Sequence, residues 1–273
     1  MILSKVSNLL ANSIITTNIV ATGLNPNPSI QTNKNTVLTS PDTLFQGVKN
    51  SSKMSANLNF FENTTKGLIN ENTRVLHIGD SHTVGVYGKE MDRLMRETGA
   101  KVQTYGSAGS SPSWWLTGHT TKSGFYSKDD NGNIDSPADW KQPHETPKFT
   151  NLINNFKPNV IVISLGANLI KANGETIEKE VKKLADIAKE SGAKIIWVGP
   201  PDGRESKKPT SKQTFLYEHL EKVAKQYGTF LDSRQYTEYP EKGGDGLHYG
   251  GEQGTEIAKN WAKSIFNDIQ NSE

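Results

Sequence analysis

The chain has 273 residues, of which 33% are hydrophobic, and a mean hydropathy of −0.62, so its length allows one large domain or two small ones. The formal net charge is +2 and no stripe of basic residues alternates with aromatic ones, which makes nucleic acid a poor candidate partner. Cysteine is absent, and this excludes disulfides, cysteine-based metal sites and thiol catalysis.

The first quarter of the chain differs in composition from the rest. Residues 1–70 are rich in Asn, Ser and Thr, whereas clear apolar strands and amphipathic helices begin at about Arg74. We expect a polar, weakly ordered leader over 1–70 and one domain over 71–273. The segment Leu9–Val20 has some features of a signal peptide, but polar residues interrupt it and Lys5 is the only basic residue before it. A disordered or partner-binding leader is therefore the preferred interpretation.

Strands and helices alternate through the predicted domain. The predicted strands are Arg74–Ile78, Lys101–Tyr105, Val160–Ile163, Ile195–Val198 and Thr229–Leu231. Helical patterns run from Val84 to Gly99, Phe149 to Phe156, Ile177 to Gly192, Phe215 to Tyr227 and Ile257 to Ile265. This alternation predicts an α/β fold with a mostly parallel sheet covered on both faces. Ligands of such sheets bind outside the carboxyl ends of the strands.

One connection is longer than the others. Residues 110–147 form a polar stretch with several Gly and Pro residues, and it contains Trp114, Trp115 and Trp140. Connections of this length are usually functional or disordered, so we expect a long loop here. No segment after the leader is long and apolar enough to predict a transmembrane helix.

The turn after the first strand carries a well-placed serine. Ser81 follows Gly79 and Asp80 at a predicted strand-to-helix junction. The backbone amides at a helix N-terminus favour negative charge that develops beside them, which suits a nucleophile. Taken alone, Ser81 is better explained as a residue that caps the helix.

Four sequence blocks at the predicted strand ends decide between these alternatives. They are Gly79–Ser81, Gly109, Gly166–Asn168, and Asp245 with His248. Together they resemble the SGNH (GDSL-type) hydrolase family, and the resemblance covers the chain from about residue 74 to its end. It implies a three-layer α/β/α sandwich around a mostly parallel, flavodoxin-like sheet of five strands.

The same residues supply the groups that acyl transfer needs. A serine nucleophile requires a base and a third group that orients the base, and Ser81, His248 and Asp245 fit these three roles. The expected oxyanion donors are the N–H groups of Ser81 and Gly109 and the side-chain amide of Asn168. Such chemistry requires no metal and no organic cofactor, and the sequence predicts neither.

The resemblance is incomplete in two places. The third block of the family often continues with Asp, but Leu169 follows Asn168 here, and the last block often ends in Pro, where this chain has Tyr249. Neither change removes a catalytic group, but both leave the subfamily open. The resemblance also implies that Asp80 shapes the turn through backbone hydrogen bonds and is not the acid of the triad.

Three residues bear on the substrate. A Gly-Asp-Ser-His start, which includes His82, resembles the branch of the family that handles acetyl groups on polysaccharides, such as peptidoglycan O-acetylesterases and alginate O-acetyltransferases. Trp114 and Trp115 could stack on sugar rings. The alternatives are that His82 caps a helix or fills space, and that the tryptophans form core packing or a lid.

We therefore expect a serine esterase that removes O-acetyl groups from a carbohydrate, with a small-molecule or polysaccharide acyl ester as its partner. The rival hypotheses are a lipase or thioesterase for longer acyl chains, a polysaccharide O-acetyltransferase, and a non-catalytic binding module. An extracellular or cell-envelope location would suit a polysaccharide substrate, although the leader is not a convincing signal peptide.

Overall fold

The computed structural model describes residues 67–272. The leader predicted for residues 1–70 lies almost entirely outside the described residues and stays a prediction. The strands, in chain order, are β1 (Arg74–Gly79), β2 (Lys101–Ser107), β3 (Thr120–Thr121), β4 (Phe125–Lys128), β5 (Ile134–Asp135), β6 (His144–Glu145), β7 (Val160–Ser164), β8 (Lys194–Val198) and β9 (Thr229–Leu231).

The α-helices of this region are α1 (Ser81–Val84), α2 (Val86–Glu97), α3 (Pro112–Thr117), α4 (Phe149–Phe156), α5 (Gly174–Glu190), α6 (Thr210–Ala224) and α7 (Gly251–Gln270). Short 3-10 turns cover Ala167–Leu169 and Ser233–Tyr236. Among these helices, none combines the length and apolarity that a bilayer crossing requires.

The large sheet has the order β5-β4-β2-β1-β7-β8-β9. Its strands β2, β1, β7, β8 and β9 run parallel to one another. This is the 2-1-3-4-5 order of flavodoxin-like sheets, so the predicted α/β fold is confirmed. The prediction of five strands is too low, because β4 and β5 add two antiparallel strands beyond β2.

Both extra strands come from the segment that was predicted to be a long loop. Residues 110–147 contain α3 and four short strands, of which β3 and β6 form a separate two-stranded antiparallel sheet. Strands of two to four residues are too short to show the alternation of apolar and polar residues that marks a strand in a sequence. The segment therefore has regular structure that its composition hides.

Alternating side chains of the parallel strands serve two cores. Ile161 and Ile163 of β7 belong to the core beneath α4, α5 and α6. Val160 and Val162 belong to the core beneath α2 and α7. Because a strand turns successive side chains to opposite faces, a continuous apolar run is what a sheet covered on both faces requires.

Two of the differences between the predicted and the observed helix boundaries have the same cause. The pattern from Val84 to Gly99 is interrupted at Gly85, which separates α1 from α2. Helix α6 begins at Thr210 rather than Phe215, because its first turn is polar and does not show the apolar repeat. In both cases the apolar repeat records the buried face and misses the turns outside it.

The strand order places a switch point of the sheet at β1. Strand β1 lies between β2 and β7. The chain therefore goes from β1 to β2 on one side of it and later adds β7 on its other side. The carboxyl ends of strands around such a switch point are where open α/β sheets bind ligands. The loops after β1, β2 and β7 all open at this edge.

We predict that Ile163→Ala lowers the free energy of unfolding by about 2–5 kcal/mol, because it opens a cavity at the centre of the sheet. Ile163 is fully buried, whereas Ile134 in β5 is 61% exposed. Ile134→Ala is therefore the matched control and should change stability by less than about 0.5 kcal/mol. Urea titrations of both variants measure the difference, and equal losses would contradict the assigned core.

Candidate active site

The serine stands on a tightly built turn at the carboxyl end of β1. Asp80 precedes α1, and its Oδ1 accepts a hydrogen bond from the His82 amide at 3.0 Å. The Asp80 carbonyl accepts from the amides of Thr83 and Val84. These bonds make Ser81 the first residue of α1, with an N–H that has no partner inside the helix.

Close packing explains the glycine before this turn. A Cβ at Gly79 would lie 1.9 Å from Thr83 Oγ1 and 2.9 Å from the Ser164 carbonyl oxygen. No larger residue fits unless the turn moves. Gly79 therefore lets α1 pack directly against the end of β7, which fixes the position of Ser81.

A hydrogen-bonded relay joins three residues from distant parts of the chain. His248 Nε2 lies 2.9 Å from Ser81 Oγ, and His248 Nδ1 lies 2.6 Å from Asp245 Oδ2. The second carboxylate oxygen of Asp245 accepts from the Leu247 and His248 amides at 2.8 and 2.7 Å. With Nδ1–H donating to Asp245, Nε2 is free to accept the serine proton.

The electrostatics of Asp245 suit this role. Burial would raise the pKa of the Asp245 carboxyl, but hydrogen bonds from the His248 amide and ring and from the Leu247 amide hold it well below its usual range. The group is therefore ionised wherever the protein is folded near neutral pH. An ionised carboxylate orients the imidazole and stabilises the imidazolium that forms during acyl transfer.

The two other residues predicted to donate to an oxyanion, Gly109 and Asn168, lie in the turns after β2 and β7. Gly109 has φ +86° in the turn after β2, a conformation that favours glycine. Its N–H makes no backbone hydrogen bond within residues 67–272. Asn168 lies in the 3-10 turn after β7, where one N–H of its amide donates to the Ser110 carbonyl at 2.9 Å. The amide has a second N–H, which that bond does not use.

The structure separates the two adjacent tryptophans. Trp114 is half-buried beside Gly109, with its ring edge 3.5 Å from the position that a Gly109 Cβ would take, and its ring lies against the exposed His119. Trp115 is fully buried and its Nε1 donates to Ser110 Oγ at 3.2 Å. The prediction that Trp115 contacts substrate is wrong, because adjacent residues of a helix point in different directions and this one faces the core.

His82 lies beside His248. Its side chain is 7% exposed, and its ring lies 5.6 Å from that of His248 and 5.8 Å from that of Trp261. Burial, followed by the positive charge of Lys208, holds its pKa well below the usual range. His82 is therefore neutral near pH 7. Together with Ser81 and His248 it lines a small hollow of about 30 Å³.

Sequence reasoning missed two residues that shape this site. Lys208 is buried and its Nζ has no hydrogen-bond partner within residues 67–272. Burial lowers its pKa, while Asp80, Asp202 and Asp245 act in the opposite direction. Lys208 lies between Lys207 and Pro209 in the sequence. Such a polar stretch is typical of an exposed loop, so nothing in the local sequence indicates that Lys208 is buried.

The second missed residue is Tyr249, which stands where the family often has proline. It is buried, and its hydroxyl donates to the Asp202 carbonyl at 2.9 Å. Its ring packs near Tyr239 and Trp261. Tyr249 thus links the residue after His248 to the loop after β8.

Solved structures of other proteins have a similar fold. The chain is similar to TesA, with 16% identity, coverage of 72% of this chain and 98% of that one, and a TM-score of 0.52. It is also similar to a mutant of Axe2, an acetyl-xylooligosaccharide esterase from Geobacillus Stearmophilus, with 16% identity, coverage of 74% and 95%, and a TM-score of 0.50. The chain has the SGNH hydrolase fold.

The chain is also similar to one further solved structure and to one curated protein sequence. A DUF4886 family protein from Bacteroides uniformis is 11% identical, with coverage of 73% of this chain and 83% of that one and a TM-score of 0.50. Protein BcsX from Komagataeibacter xylinus is 29% identical over 141 residues, which are 48% of this chain and 52% of that relative. The chain thus spans about half the length of the curated relative it matches. No family model matches the chain.

Within this SGNH hydrolase fold, the described residues contain no group of three or more His, Asp or Glu side chains arranged to hold a metal ion. What they do contain is Ser81, His248 and Asp245 at hydrogen-bonding distances from one another in that order. Acyl transfer by a serine nucleophile uses side chains of these three types in this order.

A buried polar cluster beneath the site should make stability depend on pH. His77 Nε2 lies 3.0 Å from Ser164 Oγ, and burial lowers the pKa of His77 to about 4, against a smaller opposing effect of Asp92. Burial raises the pKa of Asp80 to about 6. Between pH 6.5 and 4 the unfolded chain protonates His77 and the folded chain does not, so this histidine destabilises the fold as pH falls. Asp80 has the opposite effect, because its folded form takes up a proton first.

We therefore predict that His77→Gln removes the contribution of His77 to the pH dependence of stability and leaves the opposing contribution of Asp80. Between pH 7 and 4, the unfolding free energy of the variant should rise relative to wild type by up to about 3 kcal/mol. Urea titrations at several pH values measure the difference. His119→Gln, which replaces an exposed histidine, is the control and should run parallel to wild type. If the unfolding free energy of His77→Gln also ran parallel to that of wild type, the lowered pKa of His77 would be contradicted.

Proposed function

We propose that this protein is a serine esterase that removes O-acetyl groups from a carbohydrate, such as a cell-wall or other polysaccharide. The observation that carries the proposal is the relay from Ser81 through His248 to Asp245, with distances of 2.9 and 2.6 Å. These distances match the hydrogen-bond reach that nucleophile and base need before reaction.

In the first step, Ser81 Oγ attacks the acetyl carbonyl and His248 Nε2 takes the serine proton. The carbonyl oxygen becomes an oxyanion, which the N–H groups of Ser81 and Gly109 and the amide of Asn168 would stabilise. Each such donor typically contributes about 3 kcal/mol in the transition state. His248 then gives its proton to the departing sugar oxygen, and the acetyl group stays on Ser81.

In the second step, water attacks the acetyl ester of Ser81 while His248 takes a proton from the water. The tetrahedral intermediate collapses, acetate leaves, and the proton returns to Ser81 Oγ. Asp245 keeps the imidazole oriented in both steps, and its two backbone hydrogen bonds fix its own position. No metal or organic cofactor takes part in this sequence.

Two features support a small acyl group on a sugar. The hollow against Ser81 and His248 measures about 30 Å³, and His82, Tyr87 and Trp261 help to close it. We infer that the methyl group of an acetyl ester lies there. On the side of Gly109, the half-buried ring of Trp114 turns its edge toward this predicted oxyanion donor, and we infer that the ring contacts the sugar that carries the acetyl group.

We predict that Ser81→Ala lowers acetate release from O-acetylated glycans by about 10⁴-fold or more, because the nucleophile is lost. Acetate should be measured on a panel of O-acetylated peptidoglycan, xylan and alginate. Ser191→Ala, at the end of α5, is the control and should keep wild-type activity. Equal, slow release by wild type and Ser81→Ala would mean that this site does not catalyse the reaction.

The same assay separates the rival functions. Activity on p-nitrophenyl esters that rises from acetate to octanoate would indicate a lipase or thioesterase. Transfer of acetate to added oligosaccharide, with little free acetate, would indicate an O-acetyltransferase. A protein that binds O-acetylated glycan but turns over no ester would be a binding module.

We predict that Trp114→Ala raises KM for an O-acetylated oligosaccharide about five-fold, because one aromatic contact contributes about 1 kcal/mol. Its kcat/KM for p-nitrophenyl acetate should stay within about two-fold, since that ester carries no sugar ring to lose a contact of this size. Trp140→Ala replaces a tryptophan that is 59% exposed and should change neither value. If Trp114→Ala affects both substrates equally, the ring supports the site and does not bind sugar.

A further inference from the structure

The acid and the base of the relay lie on an exposed, glycine-rich segment. Side chains of Asp245 and His248 are 54% and 51% exposed. Gly243, Gly244 and Gly246 have φ values of +77°, +59° and +85°. A segment of this kind has few buried contacts of its own. The short distances from His248 to Ser81 and Asp245 therefore need support from outside it.

We propose that Arg204 is a positioning residue that clamps this segment, so that His248 stays in reach of Ser81. The proposal rests on the function proposed above for the same site. Arg204 Nε and Nη2 donate to the Pro240 carbonyl at 3.2 and 3.0 Å, and Nη2 also donates to the Gly243 carbonyl. The Arg204 amide donates to the Gly246 carbonyl at 3.0 Å. These contacts hold the chain on both sides of Asp245.

Tyr239 links the clamp to the catalytic base. The Arg204 guanidinium lies over the Tyr239 ring, 5.2 Å from its centroid. Tyr239 is buried, and its hydroxyl lies 3.0 Å from the His248 carbonyl, to which it donates, and 3.4 Å from Asp245 Oδ1. Arg204 thus supports the residue that holds the backbone of His248, in addition to the backbone around Asp245.

The chemistry of the side chain fits this task. A guanidinium is planar, always charged, and presents several donors in a fixed arrangement, so it can serve two carbonyls and an aromatic face at once. An ammonium group has no such arrangement. The clamp therefore requires arginine at this position, and Arg204→Lys should replace it poorly.

Loss of the clamp should act on the reaction rate more than on substrate binding. Catalytic groups that are misplaced by about 1 Å can cost about 100-fold in rate. The segment bears the acid and the base, whereas Trp114, proposed above to bind the sugar, lies elsewhere. Arg204→Ala should therefore lower kcat on an acetyl ester about 10- to 100-fold and leave KM within about two-fold.

The experiment compares full-length wild type with Arg204→Ala, Arg204→Lys and Tyr239→Phe. Hydrogen–deuterium exchange of the amides of residues 240–249 reports the order of the segment without any substrate. Kinetics on p-nitrophenyl acetate report kcat and KM, with and without millimolar guanidinium ion. Arg234→Ala is the control, because Arg234 pairs with Asp232 and lies over the Tyr217 ring.

We expect faster exchange over 240–249 and lower kcat in Arg204→Ala, partial recovery of kcat with guanidinium ion, and none of these changes in Arg234→Ala. Tyr239→Phe should show a smaller effect in the same direction and tests the clamp should Arg204→Ala not fold. Wild-type exchange in the variants, or faster exchange with unchanged kcat, would overturn the proposal. If wild type cleaves no ester, the proposed function fails, while the exchange measurement still decides whether Arg204 holds the segment.

Discussion

The hydrogen bond between Ser81 and His248 is the contact on which the site depends, and it joins residues 167 positions apart in the chain. Neither residue's local segment can create it. Ser81 is placed by β1, which pairs with β2 and β7 at the centre of the sheet. His248 is placed by the start of α7, which packs on the opposite face from α5 and α6. The geometry of the relay is therefore a property of the whole parallel sheet and of both layers of helices.

The same placement explains why polar groups are buried beneath the site. The turn that presents Ser81 needs a carboxylate for the His82 amide, and this carboxylate, Asp80, is 2% exposed. His77, Tyr87 and Ser164 form hydrogen bonds one layer below. Burial disfavours the charged form of a titratable group, which costs stability at a pH where that form prevails in the unfolded chain. Here burial disfavours both the imidazolium of His77 and the carboxylate of Asp80, so their contributions to the free energy of unfolding oppose each other as pH falls.

Much of the fold could be predicted because the parallel strands are buried on both faces. The run Val160–Ile163 is apolar without interruption, and it lies in β7 at the centre of the sheet. The added strands β4 and β5 left no comparable signal, since they are short and Ile134 is exposed. The candidate triad could be predicted because Ser81 and the Asp245/His248 pair stand in recognisable blocks. Trp114 and Trp115 carried no signal to separate them, because burial of a side chain on a one-turn helix is decided by its neighbours in space.

The residues that sequence reasoning missed share one physical property: each is distinguished by its backbone contacts or its burial and belongs to no motif. Arg204 contacts carbonyls at Pro240 and Gly243, and any residue type could supply those carbonyls. Tyr249 reaches the Asp202 carbonyl in the same way. A backbone acceptor leaves no trace in the identity of its residue, so no spacing rule can find such a contact. The candidate triad is therefore readable in the sequence, while the scaffold that keeps His248 2.9 Å from Ser81 becomes visible only in three dimensions.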